Sequence, residues 1–363
     1  MIYDVAIVGA GMAGASLAAA LDPRLSVLLL EAEAQPGFHA TGRSAAFWDE
    51  CYGGPLVQPL TTASGDFLRS GGFLKPRGSL YLGRDRDAAG LAAFKDEFAA
   101  HGVDLALLDH GEAARHVPGL KLEWTCAVFG RDCSDIDVAA LHQGYLKQSK
   151  QKGTVLALRS PLSRADFTDG RWALVAGGQD FQARLLVNAA GAWADDVAEL
   201  AAVCALGHRP MRRTIVQLRT APATPEALPL VIDFAGSFYF KPESGGKLWL
   251  SPHDETPSPA CDTAADEMDV AVAIDRLAGA VDWSVLALER RWAGLRTFTA
   301  DRLPVFGHDP AQPAFFWCTG QGGFGIQTAP AAARLCAALI EGRAPDADLN
   351  GIDPARYAPG RFL

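Results

Sequence analysis

Tyr3-Asp4-Val5-Ala6-Ile7-Val8-Gly9-Ala10-Gly11-Met12-Ala13-Gly14 opens the chain on an apolar run that leads straight into G-x-G-x-x-G. An alanine-rich stretch follows, and a second apolar run, Leu25 to Leu30, ends on Glu31. A strand delivered onto glycines, a helix behind them and an acid about 20 residues further on is the layout of a dinucleotide pocket. Gly9 allows the tight turn, Gly11 lets the backbone approach a pyrophosphate, and Gly14 lets the helix lie close on the strand. The helix start, at Met12 and Ala13, offers unpaired N–H groups and the positive end of its dipole to phosphate. Glu31, with Ala32 beside it, is placed to accept hydrogen bonds from both hydroxyls of a ribose.

The remaining composition narrows the class. A chain of 363 residues has room for two domains. Its 49% hydrophobic and 21% charged residues describe a folded globular protein. The net charge of −9 argues against nucleic acid as the main partner, while leaving room for a locally basic pocket that takes a small anion. No apolar run has the length of a membrane span, and no basic segment of a signal peptide precedes the first strand. The expectation is a cytoplasmic protein, with peripheral association at the inner membrane left open. The seven cysteines are scattered without C-x-x-C, which reads as reduced, buried thiols. The eight histidines show no H-x-x-x-H spacing, so no metal site is expected.

Further along, Leu185 to Trp193 is an apolar strand that breaks on Gly191 before a helix, repeating the logic of the amino terminus. Gly320-Gln321-Gly322-Gly323-Phe324-Gly325 again combines a glycine-rich turn with a helix start, and an apolar helix runs on to Ile340. Residues 44–70 read as helical, interrupted near Tyr52-Gly53-Gly54-Pro55. The middle of the chain alternates like strands instead. The expected fold is therefore α/β. A Rossmann-like nucleotide-binding domain is formed by residues 1–71, 136–205 and 299–363. A second, α+β domain with a mostly antiparallel sheet is formed by residues 72–135 and 206–298. A cleft between two such domains is where a substrate meets a cofactor.

Seven blocks, in order, resemble the FAD-dependent D-amino acid oxidase and dehydrogenase superfamily, and within it the bacterial D-arginine dehydrogenases. They are VGAGMAGAS (8–16), HATGRSAA (39–46), DIDVAALHQGYL (135–146), VNAAGAWAD (187–195), SFYFKP (237–242), WAGLRTF (292–298) and GQGGFGIQT (320–328). The resemblance implies FAD, which the first glycine motif alone does not distinguish from NAD. It implies that Thr41, Arg43, Ser44, Ala45 and Ala46 line the flavin ring, with His39 either a contact or a surface residue. It also brings Ala190, Gly191 and Trp193 to the cofactor, and Gly322, Gly323, Gly325, Ile326 and Gln327 to the pyrimidine side of the flavin. Backbone N–H groups there would stabilise the negative charge of a reduced flavin. A covalent flavin is not expected, because Thr297-Phe298-Thr299 carries no thiol where the sarcosine-oxidase branch has a cysteine.

Arg296 is the first candidate for the substrate. A guanidinium pairs bidentately with a carboxylate, and burying an amino acid carboxylate without such a partner costs several kcal/mol. Arg212 and Arg213 point to opposite faces of a strand, so only one of them can serve the cleft. Alternation does not say which, and the resemblance favours Arg213. The resemblance also implies Tyr239 as a hydrogen-bond donor to the substrate carboxylate and Tyr52 as a second pocket tyrosine. The implied reaction is hydride transfer from Cα of a D-amino acid to flavin N5, with hydrolysis of the imino acid to a 2-oxo acid and ammonia. Ser79 stands where the arginine-handling relatives have a carboxylate, and Phe47 where they have a histidine. The expected substrates are therefore neutral or apolar, with Phe47, Trp48, Phe324 and Gly323 as pocket walls, although Asp49 or Glu50 would restore a negative charge. An N-methyl amino acid, a 2-hydroxy acid or a polyol phosphate would use the same cleft and arginines. The electron acceptor (dioxygen, a quinone or a carrier protein) is not encoded in a motif.

Overall fold

Strand Ile2–Val8 lies at the centre of an eight-stranded sheet in the computed structural model, which describes residues 1–362. It pairs in parallel with Val27–Leu30 on one side and Gln179–Asn188 on the other. Val155–Ala157 extends the sheet beyond Val27–Leu30, and Phe315–Thr319 runs parallel to the end of Gln179–Asn188. Leu162–Thr168, Arg171–Ala176 and Val305–His308 add antiparallel edges. The central strands are apolar where both faces are covered, over residues 5–8, 27–30 and 185–187. Val5 and Ile7 meet Leu17 and Leu335, from helices Met12–Ala20 and Ala329–Ile340. Ala6 and Val8 meet Leu28, Leu186 and Trp317 on the opposite face.

The glycines of the first motif answer to contacts rather than to flexibility. Gly9 turns at φ +101°, and a Cβ there would sit 2.5 Å from the Ala189 carbonyl oxygen. A Cβ on Gly14 would be driven into the carbonyl oxygen of Gly9. Strand and helix are thus pressed together at the point where the chain reverses.

A second sheet of nine strands draws on residues 79–130 and 209–298. All its pairings are antiparallel except that of Leu230–Asp233 with Ser79–Gly83. Its two longest strands, Arg209–Ala221 and Ser284–Phe298, pair along their whole length. One face packs Val216, Leu218, Phe240, Leu248 and Leu250 against Val270, Ala273 and Leu277 of helix Glu267–Ala278. The other face carries Ile215, Ile232 and Tyr239, next to Phe47.

Residues 44–57 depart from the helical expectation. Phe47–Trp48 is a short strand in a three-stranded sheet with Ser134–Ile136 and Leu74–Pro76, and the helix begins only at Gln58. Gly53 and Gly54 at φ +107° and +81° explain why no helix forms earlier. Helix Met12–Ala20 and the strand before it allow a direct check of packing. Gly14→Ala is expected to destabilise the protein by about 1–3 kcal/mol through overpacking, seen as a lower Tm in thermal unfolding.

Candidate functional site

A continuous cavity of about 460 Å³ runs from the first helix turn of the eight-stranded sheet to the inner face of the nine-stranded one. At the end next to that helix turn, where the sequence places a nucleotide, lie Gly9, Gly11, Met12, Ala13, Glu31 and Ala32. Gly14 is not on the wall and acts through packing. Glu31 is almost fully buried, and its two carboxylate oxygens accept from Ala10 N–H at 3.0 Å and Glu33 N–H at 2.9 Å. Two backbone bonds leave lone pairs free for further donors. Trp193 lies on the opposite wall with Ala190 and Gly191, and the His39 ring sits 4.6 Å from it while its Nε2 meets Glu33 at 2.9 Å.

Residues 41–46 cross the middle of the cavity. Thr41 has a second task the sequence did not reveal, because its hydroxyl accepts from Met12 N–H at 2.9 Å and so caps the first helix. Ser44 accepts from Ala46 N–H at 3.0 Å, which fixes the extended backbone at Ala45 and Ala46. Arg43 lines the cavity, but its guanidinium is spent on the carbonyls of Thr263 and Ala293 and on Asp262. It straps the loop to the second sheet.

The register of the two long strands brings the arginines together. Met211 pairs with Arg296 and Arg213 with Gly294, which puts Arg213 and Arg296 on one face of neighbouring strands. Arg212 lies on the other face and pairs with Asp269 at 2.7 Å. Arg296 donates Nη1–H to Tyr52 Oη at 3.2 Å and Nη2–H to Glu255 at 2.6 Å, and its buried Nε–H has no partner. Arg213 donates Nε–H to the Asp254 carbonyl at 2.8 Å, while its buried Nη1 is unpartnered. Burial, then the nearby charge of Arg296, lowers the Arg213 pKa from its ordinary value. Tyr239 lies with its ring 5.8 Å from the Arg213 guanidinium, and burial raises its phenol pKa, so it stays protonated at neutral pH.

Glu255 had no signal in the sequence. Burial would raise its pKa, but Arg302, Arg296 and Arg213 together lower it to about 2.

Several expected pocket residues lie elsewhere. Phe47 is on the wall, 4.9 Å from the Tyr52 ring. Trp48, one residue on, points to the opposite side, where its indole N–H donates to the Thr61 carbonyl and Arg69 stacks on its ring. Ser79 is buried inside the second sheet and is not on the cavity wall. Phe324 supports the wall from behind, against Tyr52 and Phe298. Glu50 pairs with Thr62 and does not reach the cavity. Asp49 is also off the wall; burial raises its pKa, against hydrogen bonds from Cys51 N–H, Ser79, Tyr81 and Cys133.

The glycine-rich segment closes the site. Gly322, Gly323, Gly325, Ile326 and Gln327 all line the cavity, and the helix behind them starts at Ala329. A Cβ on Gly323 would sit 2.7 Å from Tyr52 Oη and 3.0 Å from Arg296 Nη1. The Gln327 side chain donates to the Tyr52 carbonyl and Thr61 hydroxyl, both at 2.9 Å, and accepts from Asp49 N–H at 3.3 Å. It braces the loop that carries Tyr52.

The family model described as FAD dependent oxidoreductase (DAO) matches residues 4–339. FAD-dependent oxidoreductase domain-containing protein 1 of Bos taurus is 26% identical over 93% of this chain and 81% of its own length. A D-amino acid dehydrogenase of Cereibacter sphaeroides is 43% identical over only 72 residues, 19% of this chain and 16% of its own. Glycine oxidase from Geobacillus kaustophilus has the same fold, with a TM-score of 0.85, 23% identity and 99% of each chain covered.

The three hydrogen bonds of Gln327 are buried and can be tested apart from any activity. Gln327→Leu is expected to cost about 2–4 kcal/mol of stability, measured by urea unfolding, because polar groups are left unpaired in the interior.

Proposed function

We propose, from the premise that this chain belongs to the family of FAD-dependent oxidoreductases, that it oxidises a small, neutral or apolar D-amino acid at Cα. The product is the imino acid, which water hydrolyses to the 2-oxo acid and ammonia. One observation carries this reading: Arg213 and Arg296 share one face of the second sheet, line the cavity, and each keep a buried N–H without a partner. Two such groups match the oxygens of one carboxylate.

The nucleotide end fits FAD. Gly9, Gly11, Met12 and Ala13 would hold the pyrophosphate at the helix start, Glu31 the ribose, and Ala45, Ala46, Gly322, Gly323, Gly325, Ile326 and Gln327 the ring system. When bound, FAD supplies the two-electron acceptor for hydride from Cα. The protein's own part is positioning. Arg296 and Arg213 fix the carboxylate, Tyr239 supplies a protonated phenol beside it, and Tyr52 is held by Arg296 at 3.2 Å. Restricting Cα to one approach is worth many orders of magnitude in effective concentration. The bare backbone at Gly323 leaves room next to Arg296 that any side chain would fill.

Phe47, Ile215, Tyr52 and Leu295 give this end of the cavity an apolar lining. The acids on the cavity wall, Glu31, Glu33 and Asp196, lie near the nucleotide end, following the second strand and the Gly191 turn. This supports a neutral substrate side chain, although the expected basis in Ser79 does not hold. A non-covalent flavin is supported by the sequence around Arg296. Cys261 is the one thiol on the cavity wall among the described residues.

Arg296→Ala should lower kcat/KM on the order of a thousandfold, with FAD content unchanged. Turnover close to wild type in that variant would remove Arg296 from the site. Under anaerobic conditions D-Leu, D-Met and D-Phe are expected to bleach the flavin band ahead of D-Arg and D-Lys; the reverse order would mean a cationic substrate. Acid precipitation is expected to leave the flavin in the supernatant, with the same result for Cys261→Ser. Colour retained in the wild-type pellet would show a covalent link.

A further inference from the structure

Glu255 stands between the two cavity arginines and solvent. It follows Asp254 in the loop after strand Lys247–Ser251, and a third of its side-chain surface is exposed. Its Oε1 accepts from Arg296 at 2.6 Å and from Arg302 at 2.8 Å, and lies 3.5 Å from Arg213 Nη2. Its Oε2 accepts from Arg302 at 3.1 Å. Arg302 therefore grips both carboxylate oxygens, whereas Arg296 and Arg213 meet only one. Arg302 is itself half exposed and lies 3.9 Å over the Phe298 ring, with Arg296 at 5.2 Å from the same ring. One carboxylate thus serves three guanidinium groups, two of them buried and one at the rim.

We propose that Glu255 is an internal carboxylate that occupies part of the anion clamp until a substrate carboxylate displaces it, and that Arg302 retains it during the exchange. This rests on the reading that Arg296 and Arg213 bind the substrate carboxylate.

The electrostatics require some such arrangement. Arg213 and Arg296 share one face of neighbouring strands, Arg213 buried and Arg296 largely so, where their mutual repulsion is less screened than in bulk water. An anion beside them offsets that cost while no substrate is bound. An arriving carboxylate can take the Nη2 edge of Arg296, because Glu255 still keeps its two-oxygen pairing with Arg302. The exchange swaps one ion pair for another and leaves no buried charge unpaired. The clamp therefore trades affinity for a stable empty state, and Glu255 sets how tightly a carboxylate binds.

Benzoate is a suitable probe, being a carboxylate on an apolar ring with no amine to oxidise. It would be titrated into FAD-loaded enzyme, with Kd read from the flavin absorbance change and from calorimetry. Glu255→Gln keeps the shape, removes the competing charge, and should lower Kd roughly tenfold. Arg302→Gln leaves Glu255 with only Arg296 and Arg213, so displacement becomes harder and Kd should rise several-fold, by about the worth of a rim ion pair. The double variant should match Glu255→Gln, because without the acid Arg302 has nothing to retain.

A Kd that is unchanged or higher in Glu255→Gln would overturn the proposal and make Glu255 a prop for Arg296. An unchanged Kd in Arg302→Gln would remove the retaining role. Arg296→Ala separates the two levels of argument. If benzoate binds that variant as well as wild type, or binds neither, the clamp itself is wrong. If benzoate binds wild type, fails with Arg296→Ala and ignores Glu255, only the exchange is wrong. None of these readings depends on which amino acid is turned over.

Discussion

Two positive charges held on one face of a sheet are the constraint around which the candidate site is arranged. Arg213 and Arg296 owe their proximity to a long antiparallel pairing, Arg209–Ala221 with Ser284–Phe298. A slip of one residue would turn one of them to the opposite face, where Arg212 meets Asp269, Asp266 and Asp254. The neighbourhood is built to tolerate the two that face inward. Backbone carbonyls at His253 and Asp254 accept from Arg213, Tyr52 accepts from Arg296, and Glu255 bridges both to the rim. What remains unsatisfied is a pair of N–H groups, and unpaired donors in a protein interior usually mark a place for a ligand.

The end of the cavity at the first helix turn was legible in the sequence for a simple reason. Its demands are local and fall on backbone, so they appear as glycines at fixed spacing. Gly9 and Gly14 are required by contacts with Ala189 and with each other, and no larger residue meets those demands. The acid Glu31 is tied to the same turn through Ala10 N–H. The arginine end was only half legible. Arg296 could be singled out by its block, but the choice between Arg212 and Arg213 needed the resemblance, because alternation gives two faces without naming them. Glu255 could not be found at all. It lies 41 residues from Arg296 in sequence, and only the folded sheet brings them together.

The misplaced pocket residues have separate causes. The sequence reads as helical over 44–70, interrupted near Tyr52-Gly53-Gly54-Pro55, and on a helix Phe47 and Trp48 would lie close enough to share a wall. As a strand they alternate, so Phe47 faces the cavity while Trp48 is buried with Leu68 and Tyr145. Ser79 fails differently. It lies in a strand with all five residues buried, paired on both sides by Leu230 and Gly130. A polar residue inside a sheet was taken for a polar residue facing ligand. The strands Leu105–Asp109, Cys126–Gly130 and Phe315–Thr319 were not foreseen, because short apolar runs do not declare their period.

Asp49 shows how the two ends of the site are coupled. Its backbone N–H is held by Gln327, its carbonyl accepts from Tyr52 N–H at 3.1 Å, and its carboxylate accepts from Cys51 N–H at 2.8 Å and Tyr81 Oη–H at 3.2 Å. Gln327 belongs to the glycine-rich segment on the cavity wall, and Tyr52 touches Arg296. A chain of buried and partly buried hydrogen bonds therefore runs from the glycine-rich turn to Arg296. Each member is satisfied by the next, and breaking one leaves a partner unpaired in low dielectric. This is why a loop rich in glycine at Gly53 and Gly54 can still present a tyrosine in one place. Rigidity comes from polar groups that have no alternative partner, and the freedom of the glycines is used only to make the turn.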